Sequence, residues 1–250
     1  MPRNRTATSR TASEQPRCLS RHVVRDRLVT AILGGRHKPG EKLRQQKLAD
    51  ELGVAQSAVR EALIELQASG LIKAIDNRGM FVNDLSPEHV LEALEVRERI
   101  EGLIAARCCQ RITRAQVQEL RQLAQQVVDE SRAGRFDKAA AADSEMHHRL
   151  MEIAGNTMAT RLAEQYHVVG KLLYLGAPGH RAENREHIRP PEKVLEEHLA
   201  LLKAIEDGQE ELAENLMRAH VRAARQDIQK QIEAGHFAPH WLKQDSKEME

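Results

Sequence analysis

Residues 48–63 read LADELGVAQSAVREAL. Two short amphipathic runs flank one glycine. Leu48, Ala49 and Leu52 share a face of the first run. In the second, Val59, Ala62, Leu63 and then Leu66 recur at i, i+3, i+4 and i+7, the spacing of a helix with one buried face. Gly53 between them ends the first helix and allows a tight turn. The pattern predicts helices over about 45–52 and 56–69.

Working outward, an amphipathic helix begins at Ser20, with Val24, Leu28, Ala31 and Ile32 on one face. Gly34-Gly35 stops it, and Pro39-Gly40 makes a turn. After Gly70, the runs LIKAI (71–75) and GMFVN (79–83) read as strands around Asp76-Asn77-Arg78-Gly79, a hairpin. Helix, helix, tight turn, helix, hairpin is a winged helix-turn-helix, placed over residues 19–84. Residues 1–18, rich in Arg, Thr and Ser, have too few apolar side chains to order themselves and read as a disordered basic tail.

From Ser86-Pro87-Glu88, a helix start with Pro in the first turn, the chain reads as helical almost throughout. Six segments are expected, at about 87–111, 114–132, 135–154, 157–175, 190–207 and 209–234. GAPGHRAENREHIRPP (176–191) is a loop, and residues 236–250 a frayed tail. The fold class is therefore mainly α: a winged helix-turn-helix followed by an all-helical bundle over 87–235.

Bulk properties narrow the function. The chain has 250 residues, 41% hydrophobic and 30% charged, as in a folded soluble protein. No apolar run is long enough to span a membrane and no secretory signal opens the chain. Three cysteines, Cys18, Cys108 and Cys109, form no CxxC pattern, which suits a reducing cytoplasm. Net charge is +1, but residues 1–85 carry 15 Lys/Arg against 9 Asp/Glu, and the rest 23 against 28. A basic front half suits nucleic acid. Aromatics at 2% argue against base-stacking on single strands.

In a helix-turn-helix the second helix enters the major groove. Its outward residues here are Gln56, Ser57, Arg60 and Glu61. Arg60 is the strongest base or phosphate contact. Gln56 and Ser57, at the helix start, suit a base edge or a phosphate beside the helix N-terminus. Arg44, Lys47 and the hairpin's Arg78-Gly79 complete the candidate DNA-binding set. PGEKL, LADELGV, VREAL, GLI and RGMFV, across residues 21–83, resemble the DNA-binding domain of the GntR family of bacterial transcription regulators. One helix reads only a few base pairs, so a homodimer on an inverted repeat, whose two-fold symmetry doubles the contact, is expected. Where the family has Ser-Arg-Thr-Pro before Val-Arg-Glu-Ala-Leu, this chain has Ala55-Gln56-Ser57-Ala58. Gln56 thus replaces an arginine, which turns preference from guanine towards adenine, while Arg60 keeps the family's second arginine.

In AAADSEMHHRL (140–150), Asp143 and His147 are four residues apart and leave one helical face. His198 lies ten residues before the break at Gly208, and His220 twelve after. At about 1.5 Å per residue these are roughly 15 and 18 Å from the turn, so an antiparallel hairpin brings them level. Leu199, Leu202, Ala204 and Ile205 flank the first; Leu212, Leu216 and Ala219 approach the second. Three imidazoles and a carboxylate aimed into an apolar seam suit a divalent cation: zinc first, with nickel, manganese or iron as alternatives. The other reading is a set of hydrogen-bonded core histidines. His148 points elsewhere, into solvent.

VRERIEGLIAA (96–106), DSEMHHRL (143–150), EEHLALLKAIEDGQEELA (196–213) and MRAHV (217–221) resemble the ligand-sensing FCD domain of the FadR subfamily, in its six-helix group. The resemblance implies Asp143, His147, His198 and His220 as metal ligands. It also places Arg97 and Glu101 at the effector, with Arg97, one turn before Glu101, as a fork for a ligand carboxylate; the alternative is an Arg97–Glu101 pair. Three functions follow: a repressor controlled by a small organic acid at the metal, a sensor for the metal alone, or a metalloenzyme fused to a DNA-binding domain. No general base accompanies the ligands, which disfavours the last.

Overall fold

The computed structural model describes residues 21–33, 36–83, 87–170 and 189–234. The segments expected as tails, 1–18 and 236–250, and the loop expected over 176–191, apart from its last three residues, lie outside the described residues.

The N-terminal unit comprises α1 (Arg21–Leu33), β1 (Lys42–Leu43), α2 (Gln45–Leu52), α3 (Gln56–Ala68), β2 (Ile72–Ile75) and β3 (Gly79–Val82). Gly53 caps α2 with φ 64°, a left-handed conformation that a side chain resists. That single residue reverses the chain so that α2 and α3 pack together. α3 starts cleanly because Ala55 is extended. The hairpin pairs Ile72 with Val82 and Ile75 with Gly79, and turns through Asn77 at φ 57°. β1 had no counterpart in the sequence reading. Two residues are too few to show alternation, and the strand exists only because β3 offers its free edge, pairing Lys42 with Phe81.

Val24, Leu28 and Ile32 of α1 close over Val59, Ala62, Leu63 and Leu66 of α3, with Leu71, Ile72 and Val82 beneath. This core does not end at the unit's border. Val90 and Leu94 of α4 (Pro87–Cys108) and Ile228 of the last helix belong to it.

The bundle continues with α5 (Arg114–Arg132), α6 (Phe136–Ala154), α7 (Thr157–Gly170), α8 (Pro191–Glu206) and α9 (Glu210–Glu233). These bounds follow the expected segments, except that α4 stops at Cys108 and the expected end of α7 lies beyond the described residues. A capping box sets the start of α5: the Thr113 hydroxyl accepts from Gln116 N–H while the Gln116 side chain accepts from Thr113 N–H. α4 lies along α9 and touches α6 and α7, while α5 bridges α6 and α8. Ile104, Leu120, Met146, Leu150, Leu202, Ile205 and Met217 fill the centre.

Three flanking residues expected beside the histidines face outward. Leu199, Leu212 and Ala219 are exposed. Leu199 and Ala219 lie about 100° around the helix from His198 and His220, on the side turned away from the bundle. Ala213, Met217 and Val221 take the inward places on α9.

Candidate functional site

The candidate DNA-reading residues lie on one unit and all are exposed: Arg44, Lys47, Gln56, Ser57, Arg60, Arg78 and Gly79. Gln56 and Ser57 form the first turn of α3, whose cap residue Ala55 supplies no side-chain acceptor. The leading N–H groups of that helix therefore point outward, where a phosphate oxygen can take them. Arg60 follows one turn later. Lys47 sits 3.6 Å from Glu51, an exposed pair that gives way easily. Arg78 and Gly79 stand at the hairpin tip, where Gly79 adopts φ 103° and a Cβ there would meet the Lys42 Cε at 3.3 Å.

The second site lies inside the bundle. His147 on α6, His198 on α8 and His220 on α9 are buried and converge, each offering one ring nitrogen within 4.8 Å of the others. His198 Nε2 is 3.3 Å from His220 Nε2 and 3.7 Å from Asp143 Oδ1. Donors bound to one ion at about 2.1 Å stand roughly 3.0–3.4 Å apart. The His198–His220 spacing falls in that range, the His147 nitrogen lies within 4.8 Å of both, and the aspartate lies just beyond the range.

The far sides of two rings are held. His147 Nδ1 is 2.7 Å from Glu101 Oε2, and His220 Nδ1 is 2.9 Å from Glu197 Oε2. A carboxylate so close requires a proton on Nδ1, which leaves the Nε2 lone pair facing the centre. His198 has no such clamp: among the described residues its buried Nδ1 has no hydrogen-bond partner. These donors fit a divalent cation; without one, the His198 Nε2···His220 Nε2 contact is a hydrogen bond whose donor depends on the tautomer.

Electrostatics follow from the same geometry. Burial, and then the neighbouring imidazoles of His220 and His147, hold His198 well below the usual histidine range. Burial also lowers His220, against the opposing pull of Glu197. Burial works against charge on His147 too, but there Glu101, with Asp143 adding, outweighs it and raises the pKa. Two rings are thus biased toward the neutral, ligating form, while His147 is biased toward its charged form, with which a metal would compete.

Arg97 does not stand open to a ligand. Its Nε lies 2.7 Å from Glu101 Oε1, with both side chains buried. The pair is thus made in this structure, and Glu101, expected beside the effector, instead spans Arg97 and His147. His148 is partly exposed, 3.6 Å from Glu152 and 3.9 Å from Glu164, so it turns away from the cluster. Cys108 donates to the Leu150 carbonyl at 3.1 Å, and burial pushes its thiol up to about 12, so it belongs to the core.

Sequence patterns missed Glu197, Arg189 and Asp227. Arg189 donates to Glu197, and its Nε lies 2.7 Å from Asp227 Oδ2. No local spacing joins them. Glu197 adjoins His198 in the chain yet serves His220, on the opposite helix.

A winged helix with an exposed reading face, joined to a helical bundle with a buried histidine cluster at its heart, defines a two-domain DNA-binding regulator. The chain belongs to the GntR family of bacterial regulatory proteins, whose model matches residues 20–82, and the FCD domain model matches residues 92–223. A HTH-type transcriptional regulator in an unstable DNA locus of Streptomyces ambofaciens is 31% identical over 77% of this chain and 78% of its own. The HTH-type transcriptional repressor RspR of Escherichia coli (strain K12) is 28% identical over 76% of this chain and 80% of its own. Among solved structures, E. coli McbR/YncC superposes with a TM-score of 0.66 at 19% identity, covering 85% of this chain and 98% of that one. A GntR regulator from Rhodococcus sp. RHA1 gives 0.58 at 22% identity, covering 84% and 97%. These two share the fold. No helix among the described residues is long and apolar enough to cross a membrane.

Proposed function

We propose that this transcription regulator acts in the cytoplasm as a homodimeric repressor on an inverted-repeat operator. A small organic acid bound beside a divalent metal ion in the bundle controls its hold on DNA. One observation carries the reading: three buried histidines, from three different helices, converge their ring nitrogens beside the Asp143 carboxylate. Asp143, His147, His198 and His220 would hold the ion, and the ion would supply a Lewis-acidic anchor for a carboxylate. Zinc, nickel, manganese and iron all suit this donor set.

The path to DNA runs through two helices. α4 contributes Val90 and Leu94 to the DNA-binding core and Arg97 and Glu101 to the site. α9 contributes Ile228 to that core and His220 to the site. A ligand that draws Arg97 from Glu101, or shifts His220, acts on the helices that seat the reader. Differential affinity for two arrangements then moves the population between them. Reading DNA falls to Gln56, Ser57 and Arg60, with Arg44, Lys47, Arg78 and Gly79 on the backbone. Two-fold symmetry doubles the short contact that one helix makes.

The E. coli relative named as a repressor supports the sign. A second reading, with the metal alone as signal, draws on the Arg97–Glu101 pair, since the arginine meant for an acid already has a partner. Native mass spectrometry with elemental analysis, followed by operator release titrated with metal and then with carboxylic acids, separates the two. Release by metal alone selects the sensor. A protein that gains no ion and no stability from zinc, nickel or manganese refutes both.

A further inference from the structure

Each of two histidines at the site is gripped by a glutamate, and each glutamate by an arginine. On one side Arg97 Nε meets Glu101 Oε1 at 2.7 Å, and Glu101 Oε2 meets His147 Nδ1 at 2.7 Å. On the other, Arg189 Nη1 donates to Glu197 Oε2, the same oxygen that stands 2.9 Å from His220 Nδ1. Arg189 reaches further. Its Nε donates to Asp227 Oδ2 at 2.7 Å, and another Nη1 contact touches the His220 carbonyl at 3.5 Å.

We propose that Arg189 and Glu197 are positioning residues for the metal site. Glu197 sets which nitrogen of His220 faces the centre; Arg189 sets Glu197 and ties it to α9 through Asp227. The proposal rests on the metal reading above. Three physical points support it. A carboxylate at Nδ1 makes that nitrogen the donor and frees Nε2, which is how histidine ligands are oriented in metal sites generally. The Glu197 side chain alone has several rotatable bonds, so an unrestrained carboxylate would lose ordering entropy on taking this position. A guanidinium engaged by Asp227 holds it there in advance. Finally, the Glu197 carboxylate against the ring favours positive charge there, opposing the field of Arg189.

The arrangement also joins parts of the fold that sequence keeps separate. Arg189 precedes α8, Glu197 lies on α8, and Asp227 and His220 lie on α9. Asp227 adjoins Ile228, which is part of the DNA-binding core. Arg189 is therefore a strut between the histidine pair and the end of α9 on which the reader rests.

The test uses the full chain, with zinc as probe. Long-range proton–nitrogen spectra of the histidine rings in the metal-free protein report the His220 tautomer, and competition with a chromophoric chelator reports zinc affinity. Glu197→Ala is expected to mix the His220 tautomers and weaken zinc about 10- to 100-fold. Arg189→Ala moves both readouts the same way by a smaller factor, and Arg189→Lys recovers part of the loss. The double variant is no worse than Glu197→Ala, because Arg189 acts through Glu197. Should Arg189→Ala fail to fold with Asp227 left buried and unpaired, Arg189→Ala combined with Asp227→Asn replaces it. Wild-type zinc affinity and an unmixed His220 tautomer in both single variants overturn the proposal; so do additive losses in the double variant. A wild type that binds no zinc, nickel or manganese overturns the metal reading instead, and the tautomer spectra still judge the relay.

Discussion

The two cores of this molecule are built on opposite plans. The one under the reading helix is made of Val24, Leu28, Ile32, Val59, Leu63, Leu66 and their apolar neighbours, and the residues aimed at DNA all lie outside it. The bundle has apolar packing of its own, yet Arg97, Glu98, Glu101, His147, His198, His220 and Asp227 are buried within it. In the first region function sits on a scaffold that does not need it. In the second, function and packing share the same space, and buried polar groups cost stability unless partners satisfy them. A reader face is free to vary in sequence at little cost to the fold. A buried sensing site is not, but it couples whatever occupies it directly to the packing of the helices around it.

That contrast can be broken or sharpened by experiment. The largest change is expected from Leu63→Ala, which removes a fully buried side chain from the apolar core and should cost about 2–5 kcal/mol in chemical denaturation. A cost below about 1 kcal/mol would mean that the core is not tightly packed. Next comes His198→Ala. In the wild type a metal present at about 100–1,000 times its dissociation constant should stabilise the fold by roughly 3–4 kcal/mol. The variant should show almost none of that gain in a melting experiment. Asp143→Ala, His147→Ala and His220→Ala should lose it too, and the losses should not add. His148→Ala should keep the full gain, and an equal loss there would erase the distinction between site and surface.

Arg60→Ala ranks third. It should weaken operator binding by about 1–3 kcal/mol while leaving the melting temperature unchanged, as befits a residue outside the core. Gln56→Ala should change base preference across operator variants more than overall affinity. The smallest effect concerns pH. His198 is neutral in the fold and held well below its ordinary value, chiefly by burial. In the unfolded chain it takes up a proton below about pH 6.5. The unfolded state then binds more protons, so this residue makes metal-free stability fall as pH drops through that range. His198→Gln should flatten the corresponding part of the stability–pH curve, and a curve unchanged in slope would contradict the burial argument.

Much of the fold was legible in the chain because its signals are local. Apolar residues at helical spacing, Gly53 and Gly70 at helix ends, and Asn77-Arg78-Gly79 between two strands each act within a few residues. β1 was not legible, since a two-residue strand is defined by its partner. At the candidate site, Asp143 and His147 declared themselves by one helical turn, and the break at Gly208 was enough to bring His198 and His220 level. The flanking residues were misjudged where a neighbour in sequence was taken as a neighbour in space, as at Leu199 and Ala219.

From the chain alone came a winged reader followed by helices, the Asp143–His147 pair on one helical face, and His198 level with His220 across Gly208, because periodicity and turn chemistry act over short stretches; that the two pairs meet was set by the packing. Only the tertiary structure decided that Arg97 is held by Glu101, that Glu101 serves His147, and that Arg189 and Glu197 serve His220. It also decided that α4 and α9 belong to both cores. The reason is physical. Which carboxylate reaches which ring depends on the rotation and stagger of packed helices, and these are set by the interlocking of many side chains at once.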